Sequence, residues 1–386
     1  MDRAAINPAI LQWARERAAL SHGEIAKRVN VKEETLHLWE TGAERPTFRQ
    51  AQALARALHI PLGYLFLSEP PQTVTPITDF RTLPHAQRGQ FSPELEATIN
   101  DALRKRDWLR EWRIQEGAEP LPFIGRFKPN QNPETIANNI REVLDIPLIP
   151  PKNIRTWEEQ LRSLIGQAET AGILILQNSV TLSDNRRPLS VDEFRGFTLV
   201  DPYAPVIFIN TQDTIAGRIF TLAHELAHLW TGMGGISNPD PYMPENESEI
   251  ERFCNQVAAE LLVPRDEFLR EWQLLGGDDP LEKAQELAAA FRVSVFVVLI
   301  RAREQGLIAE NAFRRAYGQA AWQVEALKED SEGQPGFFNV WRVRNGRVLV
   351  NELLRAVRQG DVLYREASQL LNVSPKTLES AMGKFL

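Results

Sequence analysis

An apolar segment from Arg218 to Trp230 carries the pattern His-Glu-x-x-His, which constrains the fold more than any other part of the sequence. The spacing predicts an amphipathic helix, because apolar residues fill most positions around His224, Glu225 and His228. Two residues four positions apart lie on one face of a helix, so both imidazoles can bind a single metal ion. Glu225 lies next to that face, where its carboxylate can hold a water molecule beside the metal.

The alternative interpretation is an ordinary helix that carries two surface histidines. The apolar neighbours argue against it, because they indicate a buried helix, in which polar side chains without a partner would be costly. The distribution of histidine argues the same way, since the half of the chain after position 193 has both of its histidines in this segment. The six histidines of the chain are at positions 22, 37, 59, 85, 224 and 228.

A catalytic zinc ion takes three protein ligands and keeps one position for water. No histidine follows His228, and Gly234 stands where an extended metzincin motif would have its third histidine. The third ligand must therefore be a carboxylate or the single cysteine, Cys254. A second helix is predicted from about 246 to 262, where Pro264 would stop it, and such a helix can offer a carboxylate to the first.

Glu251 is the preferred third ligand, because its face of the second helix carries the small and apolar residues expected against another helix. These residues are Cys254, Asn255, Ala258 and Leu262. Asn255, one turn further on, is expected to orient a histidine through a hydrogen bond. Glu247 is the alternative ligand, one turn earlier on the same stripe. We interpret Cys254 as a small buried residue rather than as a ligand.

The two helices together resemble the ImmA/IrrE family of zinc metallopeptidases. The resemblance lies in Phe220-Thr221-Leu222 before the His-Glu-x-x-His pattern, and in a second set of residues: Glu251, Asn255, Ala258, Leu261, Leu262 and Pro264. The sequence departs from the family pattern at Cys254 and Val257, where the family has alanine and phenylalanine. The resemblance implies a Zn²⁺ ion held by His224, His228 and Glu251, with Glu225 as the general base. Mn²⁺ is the alternative metal.

The first sixth of the chain has helical periodicity with short breaks, and predicts five helices between residues 7 and 67. It resembles the Cro/CI (Xre-type) helix-turn-helix. The matching residues are Ala26, Val31, Thr35, Leu36, Trp39, Glu40, Gly42 and Pro46. The resemblance implies that a recognition helix reads DNA, and the candidate contacts are Lys32, Glu34, Thr35, His37 and Arg45. Residues 1–66 hold nine Lys and Arg against seven Asp and Glu, a balance of only +2, so docking on another protein is the alternative,.

Proline-rich segments indicate boundaries between predicted domains along the chain. We predict a helix-turn-helix domain at 1–68, a linker and helical connector at 69–152, a zinc peptidase core at 153–270 and a helical region at 271–386. Three short apolar strands are expected in the core, at 173–176, 196–200 and 206–209. Asn345-Gly346 predicts a β-hairpin between 338–344 and 347–350. Residues 366–378 align with 24–36 and suggest a second helix-turn-helix. The predicted fold class is α+β, mostly helical.

Composition and charge restrict the function further. The formal charge of −7 argues against a surface that coats nucleic acid, and one cysteine excludes an internal disulfide and suits a reducing compartment,. No apolar run reaches the length needed to span a membrane, so a cytoplasmic protein is expected. Arg218 and Tyr242, which lies in the loop 232–246, are candidates to stabilise an oxyanion. The oligomeric state is open, and a dimer is one option.

Two functions fit these features. The first is a zinc endopeptidase that cuts a protein, and the family resemblance implies a repressor of the Cro/CI type encoded nearby. The second is an antitoxin-like regulator, which binds operator DNA and a toxin partner with a PIN-like nuclease fold and cleaves little or nothing. The complete His-Glu-x-x-His pattern favours the enzyme, since a binding module does not need a general base.

Overall fold

The computed structural model describes residues 3–18, 20–71, 77–80, 91–238, 248–326 and 336–385. These residues form two compact units. The first contains the described residues up to 71 together with 91–97, and the second contains 77–80 and the described residues from 98 onwards. None of the described helices is both long enough and apolar enough to cross a membrane.

The first unit, within its described residues, is built from four α-helices and a short 3₁₀ helix. They are α1 (Pro8–Arg17), α2 (His22–Val29), α3 (Glu33–Glu40), α4 (Phe48–Ala57) and the 3₁₀ helix Leu62–Phe66. Ser21 and Thr47 begin α2 and α4 with capping boxes, which satisfy backbone donors at each helix start,. Asn30 ends α2 at φ 58°, a left-handed conformation that turns the chain into α3,. The five helices predicted between residues 7 and 67 are all present, the last of them as a 3₁₀ helix.

The second unit is mostly helical and carries small sheets. Its elements in chain order are β1 (Thr78–Asp79), α5 (Pro93–Gln115), α6 (Pro133–Leu144), α7 (Trp157–Thr170), β2 (Leu174–Asn178), β3 (Val180–Thr181), β4 (Asp184–Pro188), β5 (Gly196–Leu199), β6 (Val206–Asn210), α8 (Ile215–Thr231), β7 (Gly235–Ser237), α9 (Glu249–Leu262), α10 (Arg265–Leu274), α11 (Pro280–Phe291), α12 (Val295–Glu304), α13 (Glu310–Ala326), α14 (Phe337–Asn345), α15 (Arg347–Gln359), α16 (Tyr364–Leu370) and α17 (Pro375–Phe385). The first residues of α5 are grouped with the first unit.

A five-stranded mixed sheet supports the central part of this unit, in the order β1-β7-β5-β6-β2. β2 runs parallel to β6, β5 is antiparallel to both β6 and β7, and β1 is parallel to β7. The predicted strands correspond to β2, β5 and β6, whose residues are all buried. Helix α8 packs against β5, β6, α7 and α9. The expected fold class, α+β and mostly helical with a small sheet, is confirmed.

The β-hairpin predicted around Asn345-Gly346 is wrong. The chain forms two helices there, α14 and α15, which meet at Gly346. The apolar residues after Gly346 recur with helical spacing, and Leu349, Val350, Leu353, Leu354 and Val357 are buried on one face of α15,. Gly346 still needs its positive φ of 73°, and an added Cβ would lie 2.9 Å from the carbonyl oxygen of Ile175. Gly346 is therefore a turn position, as the sequence signal indicates, but Asn345 belongs to α14 and the segments on both sides are helices.

The second helix-turn-helix suggested by sequence has the same turn as the first. Asn372 adopts φ 53° between α16 and α17, as Asn30 adopts φ 58° between α2 and α3. In each turn the next valine donates a backbone hydrogen bond of 3.0 Å to the residue five positions earlier, from Val31 to Ala26 and from Val373 to Ser368. The same turn also follows α4, α6 and α11, at His59, Asp145 and Arg292, so it does not by itself identify a second helix-turn-helix.

Candidate metal centre

Helix α8 is buried along almost its whole length and has defined ends. Thr214 accepts a hydrogen bond from the backbone of Gly217 at the start, and Gly232 ends the helix at φ 70°. Every residue from Ile219 to Thr231 is buried. The polar side chains that α8 carries therefore face other elements of the protein, and each must find a partner there.

The three candidate ligands converge at one point. Their ligand atoms all lie within 4.8 Å of one another, and this is the only such group of three or more among the described residues. Nε2 of His224 lies 3.0 Å from Nε2 of His228. The carboxylate of Glu251 faces both rings, with Oε2 3.3 Å from His224 Nε2 and Oε1 3.1 Å from His228 Nε2. The structure thus brings together the two histidines of α8 and the preferred acid of α9.

The other ring nitrogen of each histidine is held by a hydrogen bond. Nδ1 of His228 donates to the carbonyl oxygen of Met233 at 2.7 Å, and Nδ1 of His224 lies 2.8 Å from Oδ1 of Asn255. Both partners accept, so in the neutral rings the proton is on Nδ1 and the lone pair is on Nε2. Asn255 therefore lies where the sequence predicts it, within hydrogen-bond distance of a candidate histidine ligand.

This arrangement fits a bound cation. Two Nε2 lone pairs and a carboxylate point towards one another in a site where every ligand is at most 3% exposed. Oε1 of Glu251 is close to His228 but accepts no hydrogen bond with proper geometry from the described residues. Electron-pair donors that face each other in a buried site repel unless a positive charge lies between them. Two imidazoles and one carboxylate are a ligand set that zinc accepts.

The pKa values of these groups reflect the same electrostatics. Burial by itself would lower the pKa of His228, but the carboxylate of Glu251 acts in the opposite direction and raises that pKa. Burial opposes ionisation of Glu251, yet the two histidines lower the pKa of its carboxyl to about 2. Both pKa shifts favour an ionised Glu251 carboxylate with positive charge beside it.

Glu225 lies against the sheet, beside the ligands. Thr198 Oγ1 donates to its Oε2 at 2.7 Å, and Ser237 Oγ donates to its Oε1 at 2.6 Å. Burial raises the pKa of Glu225, while the two histidines and the two hydroxyls oppose that rise. Gly196 leaves the space for this carboxylate, since an added Cβ would lie 2.9 Å from Oε1. A carboxylate held in this way can exchange a proton with a group bound next to it.

Residues far away in sequence form hydrogen bonds with the C-terminal ends of α8 and α9, the two helices that carry the candidate ligands. The backbone amides of Gly125 and Phe127 donate to the carbonyls of Leu229 and Trp230 near the end of α8, at 2.9 and 3.0 Å. At the end of α9, the guanidinium of Arg141 donates to the carbonyls of Glu260 and Leu261. The indole of Trp230 also donates to Asn139 of α6, at 3.0 Å. These bonds satisfy carbonyls that a helix end leaves open.

The remaining candidate ligands and oxyanion-stabilising residues lie outside the group of converging side chains or outside the described residues. Glu247 and Tyr242 lie outside the described residues. Cys254 is fully buried next to His228, but it is not part of the converging group. Arg218 is half-buried, and the charges that act on it are those of Asp213 and Glu158. Its suggested role at an oxyanion stays a prediction.

Thr198, Ser237 and Phe80 were not predicted, although all three touch the site. Phe80 follows β1, and its ring stacks on His228 with a centroid distance of 5.5 Å and an interplanar angle of 13°. Thr198 is a hydroxyl residue inside an apolar strand, which is a signal that sequence could have offered. Neither Ser237 nor Phe80 stands in a pattern that would distinguish it before the strands are paired.

The candidate DNA contacts lie in and around α3. Lys32, Glu34, His37 and Arg45 are exposed, and Thr35 is half-buried. The opposite face of α3 is buried, with Leu36 and Trp39 in the core of the first unit. Arg15 and His22 both pair with Glu40 at the end of α3. The exposed side of α3 is therefore the side available to a ligand, as in a recognition helix.

Comparison with known protein families agrees with this arrangement. Residues 9–63 match the family model of a helix-turn-helix domain, and residues 168–303 match that of the IrrE N-terminal-like domain, a peptidase family. The second segment contains α8 and α9 with all three candidate ligands. No curated protein matches the chain. The architecture expected from sequence, a helix-turn-helix domain followed by an IrrE-like domain, is confirmed.

Proposed function

We propose that this chain, which joins a helix-turn-helix domain to an IrrE-like peptidase domain, is a zinc-dependent endopeptidase that acts on a regulatory protein. One observation carries the proposal, the buried convergence of His224, His228 and Glu251 beside the carboxylate of Glu225. A binding module would need neither a metal ligand set nor a general base next to it.

The roles of the residues follow from their contacts. His224, His228 and Glu251 would hold the ion, with Asn255 and the Met233 carbonyl fixing the orientation of the two rings,. When bound, zinc polarises a carbonyl group and makes water acidic enough to act as a nucleophile near neutral pH. Glu225 accepts the proton of the attacking water and delivers it to the leaving amine. Thr198 and Ser237 keep its carboxylate in place for both transfers.

Zinc is the expected ion, because imidazole and carboxylate ligands together suit it, and Mn²⁺ is the alternative. The expected substrate is a Cro/CI-type repressor encoded nearby, or another regulatory protein. The attached helix-turn-helix would then find that repressor or its operator DNA. This activity belongs in the cytoplasm, where such repressors act, and a dimer would suit a two-fold symmetric operator.

A second function, that of an antitoxin-like regulator, is favoured by the burial of the site. His224, Glu225 and His228 are fully buried and Glu251 is 3% exposed, so a substrate reaches them only after some other group moves. In this alternative the chain binds operator DNA and a toxin with a PIN-like nuclease fold, and hydrolysis is absent or incidental. The two functions differ in one measurable respect, which is cleavage that depends on Glu225.

The test compares the wild type with Glu225→Gln. Each protein is incubated with the products of adjacent genes and added Zn²⁺ or Mn²⁺, and cleavage of those products is measured. We expect Glu225→Gln to keep its metal and to lose cleavage by about a hundredfold or more. Glu249→Gln, on the exposed side of α9, is the matched control and should cleave normally. A stable complex without cleavage, equal for all three proteins, would favour the regulator. Full activity of Glu225→Gln would contradict the proposed mechanism.

A further inference from the structure

The edge of the sheet nearest the metal centre is occupied by a segment from the same chain. β7 pairs with β5 on one side and with β1 on the other, where Thr78 is opposite Gly235 and Asp79 is opposite Ile236. Without β1, the outer backbone groups of β7 would be an open edge, which readily pairs with another extended strand. The same β7 contributes Ser237, which holds Glu225.

Phe80 connects this edge to the metal ligands. Its backbone amide donates to the carbonyl oxygen of Ile236 at 3.0 Å, which extends the pairing with β7 by one residue. Its half-buried ring stacks on the imidazole of His228. The segment 77–80 therefore combines backbone pairing along β7 with an aromatic ring placed on a metal ligand.

Gly235 shows how closely the segment fits. A Cβ at this position would lie 2.2 Å from two ring carbons of Phe80 and 2.9 Å from the carbonyl oxygen of Thr78. Gly235 does not have a positive φ, so its backbone would accept alanine without strain. The missing side chain at position 235 is therefore explained by the close approach of residues 78 and 80.

The attachment of the segment is small enough to be reversed. The paired strand has only two residues, and Thr78 is exposed. A short edge strand makes few backbone hydrogen bonds, and water can replace each of them when the strand leaves. The segment is part of the same chain, however, so it competes with a free peptide at an effective concentration of about a millimolar. Weakly binding peptides are then excluded from the edge of β7.

We propose that residues 77–80 are an internal occupant of a peptide-binding edge, and that an extended peptide with an aromatic residue displaces them, pairs with β7 and stacks its ring on His228. This inference rests on the proposed function, since it names the class of peptide that the site accepts. It also accounts for part of the burial of the candidate ligands, because displacement of Phe80 uncovers the face of His228 on which its ring lies.

The first experiment measures peptide binding, with Glu225→Gln as the parent so that no cleavage interferes. The probe is the peptide Ile-Thr-Asp-Phe-amide, which repeats residues 77–80, with fluorescein on its amino end. Binding is followed by fluorescence polarisation, in metal-free protein and with added Zn²⁺. We expect Phe80→Ala in this parent to bind the probe at least tenfold more tightly, because the tethered competitor has lost its ring. Phe337→Ala, which removes an exposed phenylalanine of α14, is the matched control and should bind as the parent does.

The aromatic requirement is tested with the peptide Ile-Thr-Asp-Ala-amide carrying the same label. It should bind Phe80→Ala at least tenfold more weakly than the phenylalanine peptide. Equal binding of the two peptides would overturn the aromatic part of the inference. Equal binding of the phenylalanine peptide by Phe80→Ala and its parent would overturn the whole.

A second variant acts from the opposite side of the contact and leaves Phe80 in place. Gly235→Ala should expel the ring, and hydrogen exchange of residues 77–80, followed by mass spectrometry, should become at least tenfold faster. Gly276→Ala is the control, since nothing lies within 4 Å of its added Cβ. Unchanged exchange in a folded Gly235→Ala protein would contradict the close contact on which the inference depends.

These readouts are separate from proteolysis. Tighter peptide binding by Phe80→Ala without cleavage of any protein would keep the inference and count against the endopeptidase. Cleavage of a protein with no effect of Phe80→Ala on peptide binding would support the endopeptidase and overturn the inference about residues 77–80. Cleavage of the chain itself within 77–80 by the wild type, but not by Glu225→Gln, would overturn the inference because the segment would be a substrate.

Discussion

Helices α3 and α8 carry the two sets of side chains that point to function, and they differ in where those side chains lie. The side chains of His224, Glu225 and His228 in α8 are fully buried, and each forms a hydrogen bond with a residue outside the helix. The polar residues of α3 are on its exposed face, while its apolar residues form the core. The candidate functional side chains are therefore buried in α8 and exposed to solvent in α3.

The difference decides how much a sequence can reveal about each helix. A buried histidine must be matched by a hydrogen-bond acceptor and a ligand, so the residues around it are restricted and form a recognisable pattern. An exposed lysine or glutamate is satisfied by water, so many ligands are compatible with it. The structure of α3 thus follows from its buried face, whereas what α3 binds depends on residues that the fold leaves free to vary.

The largest effect is expected on the buried side of α3. Trp39→Ala should destabilise the first unit by about 3–5 kcal/mol, since it removes a fully buried ring,. Hydrogen exchange of α2 and α4 in the full chain measures this loss. Leu38→Ala, at the more exposed neighbouring position, is the control and should cost within about 0.5 kcal/mol,. If Trp39→Ala also changed zinc affinity, the separation drawn between the two helices would be wrong.

Metal addition should act on α8 and leave α3 unchanged. Zinc at a hundred times its dissociation constant should stabilise the second unit by about 2.7 kcal/mol, because only the folded state assembles the ligands. Hydrogen exchange of α8 and α9 should slow on addition of zinc and recover with a chelator. Equal slowing in α3 would show that the two helices are coupled. No slowing in α8 would count against a metal site.

Asn255→Ala tests whether the hydrogen-bond partner of a buried ligand contributes to zinc affinity. Removal of the acceptor of His224 should weaken zinc binding by about 10- to 100-fold, since the ring loses its fixed orientation,. Competition with a chromogenic chelator measures the affinity. Gln256→Ala, at the next and exposed position of α9, should bind zinc as the wild type does. Equal zinc affinity in both variants would mean that Asn255 does not orient His224.

The smallest effect on stability is expected on the exposed face of α3. Lys32→Ala should change the free energy of unfolding by less than about 0.5 kcal/mol. If α3 binds DNA, the same variant should weaken duplex binding and reduce the salt dependence by about one counterion. Glu34→Gln should strengthen duplex binding by removing a repulsive charge. DNA affinity unaffected by both changes would favour a protein partner for this face.

Sequence alone predicted the parts of the molecule in which one pattern determines one local structure. The ligand helix, the second helix with Glu251, and the three central strands follow from spacing and burial. The contacts of Ser237 and Phe80 could not be predicted, because they arise only when β7 and β1 pair across a long stretch of chain. The hairpin prediction is wrong because burial of the helically spaced Leu349, Leu353 and Val357 determines the structure after Gly346, whereas Asn-Gly indicates only a turn,. A turn signal identifies a turn but not the elements on either side of it.

The hydrogen bonds at the ends of α8 and α9 set a lower limit on any fragment that keeps the proposed metal site intact. The segment that matches the IrrE-like domain begins at residue 168, yet Gly125, Phe127, Asn139 and Arg141 all precede it. A protein cut at that boundary would keep all three candidate ligands, but it would lose the hydrogen bonds that Gly125, Phe127 and Arg141 donate to carbonyls at the ends of the two helices. It would also lose Asn139, the acceptor of the Trp230 indole. A fragment that keeps the proposed site intact is therefore longer than the segment 168–303 that matches the family model.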